Sequence, residues 1–455
     1  MTQSKKTDLG KDRIGHLFFA LAVPAIASQV VNALYNMVDR MYIGHIPGSG
    51  AAALTGVGVA FPLIMIIAAF AALVSMGGAP RASIMMGKGD EEQANKILGN
   101  CFTALVITSI VLTGLTMVFC EPLLMMFGAS ENTIIYAKAY MMIYAAGTIF
   151  VQLTLGMNAF ISAQGFSRTS MLTVVIGAIT NIVLDPILIF GFNMGVRGAA
   201  LATVISQAVS TVWVIAFLSS KKSQLRLNPR YFRIQPKILF PAMALGFAPF
   251  VMQATESILV LCFNSSLLRY GGDLAVGAMT ILSSVMQFSM LPLQGLTQGA
   301  QPIISYNYGS GDISRVKKGF KLLLISCVVY SSTMWALAML VPQTLASIFT
   351  ADPALMEITV WAMRIYMAAL LLMGVQIACQ QTFIALGNAK VSTFLAFLRK
   401  IFLLIPFIYL LPVFIEDKVF AVFLAEPIAD VIAVSVTVIL FFKFFRRVET
   451  GEIHV

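Results

Sequence analysis

Twelve apolar runs of about 20 residues or more, separated by short polar joints, leave this chain few architectures. Inside a bilayer a backbone satisfies its own hydrogen bonds only as a helix or a closed barrel. The runs are continuously apolar rather than strictly alternating, which selects the helix. The predicted spans are 17–43, 52–76, 97–119, 137–163, 169–192 and 198–219, then 238–265, 274–300, 319–341, 358–384, 391–412 and 420–443. Only 11% of the 455 residues are charged, where a soluble domain carries about 25%. The expected fold is an all-α integral membrane protein of twelve transmembrane helices in two six-helix bundles. The first 30 residues imitate a signal peptide, but the apolar stretch continues past Asn32 to Ile43, so it reads as a retained span.

The net charge of +10 does not point to nucleic acid, which would need a basic face on a soluble module. Here Lys and Arg gather in the tail (Lys5, Lys6, Lys11, Arg13) and in 81–96, 221–237, 315–321 and 443–447. The opposite side holds Lys138, Arg197, Arg269 and Lys418. The positive-inside rule then puts both termini in the cytoplasm and the chain in the plasma membrane. Five widely spaced cysteines, most of them in apolar runs, read as core residues. Without a CxxC or a His-rich cluster, no metal or cofactor is expected. His16, His45 and His454 lie at helix ends or in tails, and no HExxH or Gly-x-Ser-x-Gly appears, so an enzyme is not expected.

An internal repeat divides the chain. A shift of 222 residues superposes Gly77, Pro80, Ser83, Gly87, Gly89 and Asp90 on Gly299, Pro302, Ser305, Gly309, Gly311 and Asp312, and Gly165 on Gly387. The expected units are an N-terminal bundle at 1–219, a cytoplasmic linker at 220–237 and a C-terminal bundle at 238–455. Six crossings per half make the copies parallel, related by an axis along the membrane normal, with substrate bound between them. Segments 77–90 and 299–312 read as cytoplasmic connections, each a tight loop with a short interfacial helix.

Carboxylates within the runs mark the chemistry. Asp185 lies inside an apolar stretch, where a charge costs about 2.5–3.5 kcal/mol, so it normally faces a cavity, an ion path or a partner. Asn181 lies one turn earlier on the same face. Pro186 removes a backbone bond and frees the Ile182 carbonyl beside the carboxylate. On the first helix Asn32, Tyr35, Asn36 and Asp39 form a stripe. Arg40 could neutralise Asp39, and Asp185 could be a protonated structural carboxyl bonded to a neighbouring helix. In the second half Glu256, Glu426 and Asp430 form another acidic cluster, which could bind a cation or pair with Arg399 and Lys400.

Asn32-Ala-Leu-Tyr-Asn-Met-Val-Asp39, Gly-Ala-Pro at 78–80, Asn158 with Gly165, Asn181-x-x-x-Asp185-Pro186 and Glu426-Pro-Ile-Ala-Asp430 together resemble the multidrug and toxic compound extrusion (MATE) family, in its DinF/MepA-like branch. The resemblance implies an alternating-access antiporter that exports organic cations in exchange for H⁺ or Na⁺. It implies a coupling site of Asp39, Asn158, Asn181, Asp185 and Thr203 with Tyr35 nearby, although depth counting sets Asn158 nearer the cytoplasm than Asp185. Another branch has a second-bundle Na⁺ site with a carboxylate on helix ten, where this chain has Gln380 and Gln381. The 26 Met and 33 Phe suit varied apolar cations, and Asn32, Met286, Gln287 and Met290 are cleft candidates. The expected partners are small organic cations and the lipid bilayer, with the chain a monomer. A lipid-linked precursor flippase of the same superfamily is the alternative; it would favour a basic cleft.

Overall fold

The structure, a computed structural model, describes residues 8–452. Lys5, Lys6 and His454 therefore lie outside the described residues. Among the described residues every regular element is helical. Nine of them are long and apolar enough to cross a bilayer, and two bent pairs raise the number to eleven. These pairs are α4 (Ile134–Ala146) with α5 (Thr148–Ala163), bent by 59°, and α12 (Pro353–Tyr366) with α13 (Leu370–Ala385), bent by 47°. One of the nine, Pro236–Gly309, runs for 74 residues, far more than one bilayer accommodates. It changes course at Gly272, whose φ of +65° is in the region that favours glycine. It therefore supplies two crossings, which makes twelve.

In the first half the crossings are α1 (Ile14–Gly44), α2 (Gly50–Gly87), α3 (Glu91–Met126), the α4–α5 pair, α6 (Ser167–Pro186) with the π-helical turn Ile187–Gly191, and α7 (Val196–Ser219). In the second half α8 (Pro236–Ala254) passes into α9 (Glu256–Gly309), followed by α10 (Ile313–Leu340) and the short α11 (Pro342–Ser347). After the α12–α13 pair come α14 (Ala389–Phe397), a π-helical stretch at Leu398–Leu404, α15 (Ile405–Phe414) and α16 (Lys418–Glu449). Large apolar side chains such as Val118, Phe192, Val212 and Phe442 remain exposed, as lipid-facing positions should.

The repeat residues do a different job from the one predicted. Segments 77–87 and 299–309 are not loops with interfacial helices but the ends of the long helices α2 and α9. The true connections are three residues each. Gly89 (φ +80°) and Gly311 (φ +78°) turn the chain, and the Asp90 and Asp312 carboxylates accept from the backbone N–H of Gln93 and Arg315 to start the next helix. The sequence pattern mistook tight packing for a loop because Gly and Pro signal both.

These glycines bring the halves together. A methyl on Gly87 would overlap the Tyr306 carbonyl oxygen, and one on Gly309 would overlap that of Ile84. Ile84 and Tyr306 are themselves related by the 222-residue shift, so this seam obeys the repeat. Gly77 meets the backbone of Ala242, and Gly246 that of Leu73; in the matching position Gly299 meets Ala22, and Gly295 meets Ile26. Thus α8 packs on α2 and α1 on α9, each half lending its first helix to the other. A shared core of Leu17, Phe18, Leu21 and Ile84 with Leu293, Ala300, Ile303 and Ile304 fills this seam.

Two straps close the same end. Arg315 Nη2 donates to the carbonyls of Leu9 (3.0 Å) and Asp12 (2.8 Å), and Asn307 Nδ2 donates to Leu9 (3.0 Å). The stretch leading into α8 lies along α3 in the same manner. Asn100 Oδ1 accepts from Gln235 N at 2.6 Å, and Thr103 Oγ1 donates to the Phe232 carbonyl at 2.7 Å. Gln164 Oε1 takes three donors, from Ser223, Gln224 and Leu225.

Candidate coupling site

Three crossings build the first-half site. α1 carries Asp39 five residues before its end, and α6 carries Asp185 one residue before its own. Both therefore sit in the half of the membrane remote from the N-terminal strap. Asp185 and Asn181 are fully buried, and Asp39 and Thr203 nearly so. Asn181 Nδ2 lies 3.4 Å from Asp185 Oδ1 and 3.5 Å from Thr203 Oγ1 on α7, so the amide bridges α6 and α7. The Asp39 and Asp185 carboxyls face each other, and Tyr35 stands beside both. Pro186, which cannot donate to the preceding turn, opens the π-helical turn Ile187–Gly191 directly after this group.

Three acceptor oxygens here have no donor among the described residues: Asp39 Oδ1, Asp185 Oδ2 and Asn181 Oδ1. A buried polar atom without a partner costs about 1–3 kcal/mol. Three converging on one place suit a small cation or a shared proton, which would satisfy all of them at once. Among the described residues Arg40 makes no ion pair with these oxygens; its guanidinium lies over the Phe61 ring at 4.8 Å, within electrostatic reach of Asp39.

Asn158 is placed elsewhere. It sits on α5, and its Nδ2 donates to the Ser170 carbonyl at 3.2 Å, near the start of α6. Fifteen residues of helix separate Ser170 from Asp185, about 22 Å along the axis. Asn32 is exposed, and its carbonyl accepts from Asn36 Nδ2 at 2.8 Å. Gln287 is exposed too, whereas Met286 and Met290 are half-buried against the second-half core.

Two members escaped the sequence reading. Tyr140 and Tyr144 on α4 are buried and stacked, with ring centroids 6.1 Å apart; Tyr140 borders Thr203 and Asp39, and Tyr144 borders Tyr35. The available signal was their spacing of four with Tyr136 before them, three phenols along one face in an otherwise apolar run.

The second half answers its carboxylates with bases. Arg399 Nε donates to Asp430 Oδ1 at 2.6 Å, and its Nη2 donates to Glu426 Oε1 at 3.1 Å. Lys400 Nζ pairs with Glu256. Both bases ride on the π-helical stretch Leu398–Leu404, whose wider turn brings consecutive side chains closer to one face. Of the two alternatives the sequence left open for this cluster, the pairing with Arg399 and Lys400 is present. Gln380 Nε2 lies 3.2 Å from Met252 Sδ, one turn before Glu256, and Gln380 Oε1 accepts from Gln376. Among the described residues no group of three or more His, Cys, Asp or Glu could hold a metal ion.

Comparison with known proteins agrees with this architecture. The sequence model of the MatE family matches twice, over residues 24–187 and 249–410, an offset close to that of the repeat. The multidrug export protein MepA of Staphylococcus haemolyticus is 25% identical over 390 residues, covering 86% of this chain and 85% of MepA. MepA of Staphylococcus aureus is 23% identical over 434 residues, 95% of each chain. Among solved structures, a ligand complex of the MATE multidrug transporter DinF-BH is 34% identical with a TM-score of 0.88, covering 97% of this chain and 98% of that one. An outward-facing multidrug resistance MATE transporter of the MOP superfamily shares the fold at 21% identity and a TM-score of 0.89, over 99% and 100% of the two chains. With matched segments spanning most of its length in both halves, the chain belongs to the MatE family of membrane transporters.

Proposed function

We propose that this transporter exports organic cations across the plasma membrane in exchange for H⁺ or Na⁺, and that the Asp39–Asp185 pair binds the coupling ion. The observation that carries the reading is the convergence of Asp39 Oδ1, Asp185 Oδ2 and Asn181 Oδ1, buried acceptors with no donor among the described residues. The MepA relatives are multidrug export proteins and DinF-BH is a multidrug transporter solved with a ligand bound, which supports a small-molecule cargo.

In this reading the termini are cytoplasmic, so the end sealed by the glycine seam and the two straps is the inner gate. The outer halves of the crossings hold the carboxyl pair, and Asn32, Asn36 and Gln287 are exposed polar groups that call for water rather than lipid. The ion and the drug favour different forms of the bundle pair. Ion bound between Asp39 and Asp185 draws α1 toward α6 and releases the drug outward; ion loss to the cytoplasm resets the carrier. Such coupling requires only that each ligand discriminate between the two forms. The flippase alternative would favour a basic cleft, and the two second-half bases Arg399 and Lys400 are both engaged by carboxylates.

The test is ethidium efflux from proteoliposomes under imposed pH or Na⁺ gradients, comparing wild type with Asp185→Asn. Gradient-driven efflux that the mutant lacks supports the site and identifies the ion. Full efflux in the mutant removes Asp185 from the mechanism and turns attention to Glu256, Glu426 and Asp430. No wild-type efflux under either gradient favours the flippase.

A further inference from the structure

Between the carboxyl pair and the strapped end, the first half carries polar columns on otherwise apolar helices. α7 presents Thr203, Gln207 and Thr211, and α5 presents Thr154, Asn158 and Ser162, each set spaced by four residues and so stacked along one face. From Asn181, α6 runs back past Gly177 and Thr173 to Ser170, about 16 Å of helix. The three helices pack on one another in every pairing, and side-chain contacts join their columns. Thr154 Oγ1 lies 2.8 Å from Thr211 Oγ1 and donates to the Gln207 carbonyl at 3.0 Å. Ser210 Oγ donates to the Thr173 carbonyl at 3.1 Å, and Ser162 Oγ to Ser170 Oγ at 2.8 Å. Gly177 keeps the lane open at its narrow point, where a methyl would sit 2.6 Å from Ser210 Oγ.

Two acceptors along this lane are buried with no donor among the described residues, Gln207 Oε1 and Asn158 Oδ1. Leaving them bare costs free energy, and in a site with several polar groups the usual partner is water. A network made only for stability would pair them as it pairs the hydroxyls. The hydroxyls also have a choice of partner. Thr211 Oγ1 has one hydrogen to give and two carbonyls in reach, Phe150 at 3.0 Å and Gln207 at 2.8 Å. Between Asp185 and the strapped end, none of the three helices carries another carboxylate.

We infer that this lane is a hydrated exit through the interior of the first half, by which a proton held at the carboxyl pair reaches the cytoplasm apart from the path of the drug. The inference rests on the reading that Asp39 and Asp185 bind the coupling ion, and it narrows that ion to H⁺. The proton leaves the Asp185 carboxyl, which stays behind as a carboxylate. Water held by Gln207 and Asn158 takes it, with the threonine hydroxyls able to accept one proton and give up another, and it joins bulk water beyond Ser162 and Ser170. Na⁺ would have to cross the same stretch with no anionic ligand in hydrocarbon surroundings. Asn181 stands at the head of the lane. Its Nδ2 contacts to Asp185 and Thr203, at 3.4 and 3.5 Å, are long for hydrogen bonds, so the amide is free to turn and to admit or exclude water. A valve there keeps protons from leaking when no drug is exchanged.

The experiment is pH-driven ethidium efflux from proteoliposomes of the full-length protein, paired with equilibrium ethidium binding in detergent. Gln207→Leu fills the space with an apolar side chain and is expected to slow efflux about tenfold, the scale of one lost hydrogen bond along the path, with ethidium affinity unchanged. Asn158→Leu should do the same. Gln207→Ser, which restores a hydroxyl and room for water, should recover most of the rate lost in Gln207→Leu. A rate in Gln207→Leu equal to wild type, or a Gln207→Ser variant as slow as Gln207→Leu, overturns the lane. If Gln207→Leu is unimpaired while Asp185→Asn is inactive, the carboxyl pair stands and only the lane falls; full efflux in Asp185→Asn removes the pair itself. Efflux driven by Na⁺ and not by pH likewise keeps the pair and overturns the lane. The unaltered chain supplies a check that no folding defect can disturb. A map of it at a resolution that shows water should place ordered water on Gln207 Oε1 and Asn158 Oδ1, and dry oxygens there overturn the proposal.

Discussion

The same three crossings of each half, the first, fifth and sixth, enclose a polar cluster, and the two clusters are opposites. Between α1, α6 and α7 two carboxyls and an amide present oxygens that no donor among the described residues meets. Between α9, the π-helical stretch after α14, and α16, three carboxylates are held by Arg399 and Lys400. The repeat kept the residues that shape helix ends and the glycine seam, and it let the pocket chemistry diverge. In the function proposed above, one half is left free to respond to an ion, while the other is braced from within. A duplicated scaffold needs only its close backbone approaches in common, because those alone fix how the halves meet.

The sharpest way to break this contrast is to remove one charge from each pocket. Arg399→Ala leaves Glu426 and Asp430 buried without their base and is expected to destabilise the protein by about 3–5 kcal/mol, read as a large fall in the thermal unfolding temperature in detergent. Asp185→Asn has the reverse profile: stability within about 1 kcal/mol of wild type, since an amide replaces a carboxyl in a pocket already rich in acceptors, but loss of gradient-driven efflux. Equal destabilisation by both would erase the distinction between a braced and a responsive half.

The seam comes next in size. Gly309→Ala places a methyl against the Ile84 carbonyl and should cost about 1–3 kcal/mol, with a shift toward the form in which the strapped end is open. Cysteine accessibility on α2 and α9 near residues 84 and 306 would report it. Gly87→Ala should match it closely, because the contact is reciprocal, and unequal effects would show that the repeat symmetry does not extend to energetics.

Smaller again is the strap. Arg315→Ala removes the guanidinium donors to Leu9 and Asp12, leaving Asn307 on Leu9, and should raise amide exchange across residues 8–13 roughly tenfold, equivalent to about 1.4 kcal/mol, leaving exchange at 220–235 unchanged. The least effect is expected at Tyr140→Phe, about 0.5–1.5 kcal/mol, in a background where Asn181 still bridges α6 and α7.

Much of this was legible in one dimension. The twelve crossings followed from runs of apolar residues, since a bilayer sets both the length and the composition of a span. Asp39, Asn181 and Asp185 stood out because a polar group in hydrocarbon is expensive and therefore rare. What escaped was whatever depended on which helices touch. Tyr140 and Tyr144 read as ordinary aromatic residues until α4 was seen beside α1 and α7. Asn158 looked like a site residue by motif, but helix α5 carries it to Ser170. Residues 77–87 and 299–309 looked like loops because glycine serves both turns and close helix packing, and sequence spacing does not distinguish them.

That this chain is a helical membrane protein built twice over, with carboxylates hidden in its spans, follows from the order of its residues, because those facts rest on hydropathy, length and self-similarity along the chain. That one acidic cluster is buried without donors among the described residues and the other neutralised, and that each half lends its first helix to the other, became visible only once the helices were packed. Those outcomes depend on distances between residues more than a hundred positions apart, such as Lys400 and Glu256 or Gly87 and Tyr306, and such distances are set by packing rather than by any local preference of the chain.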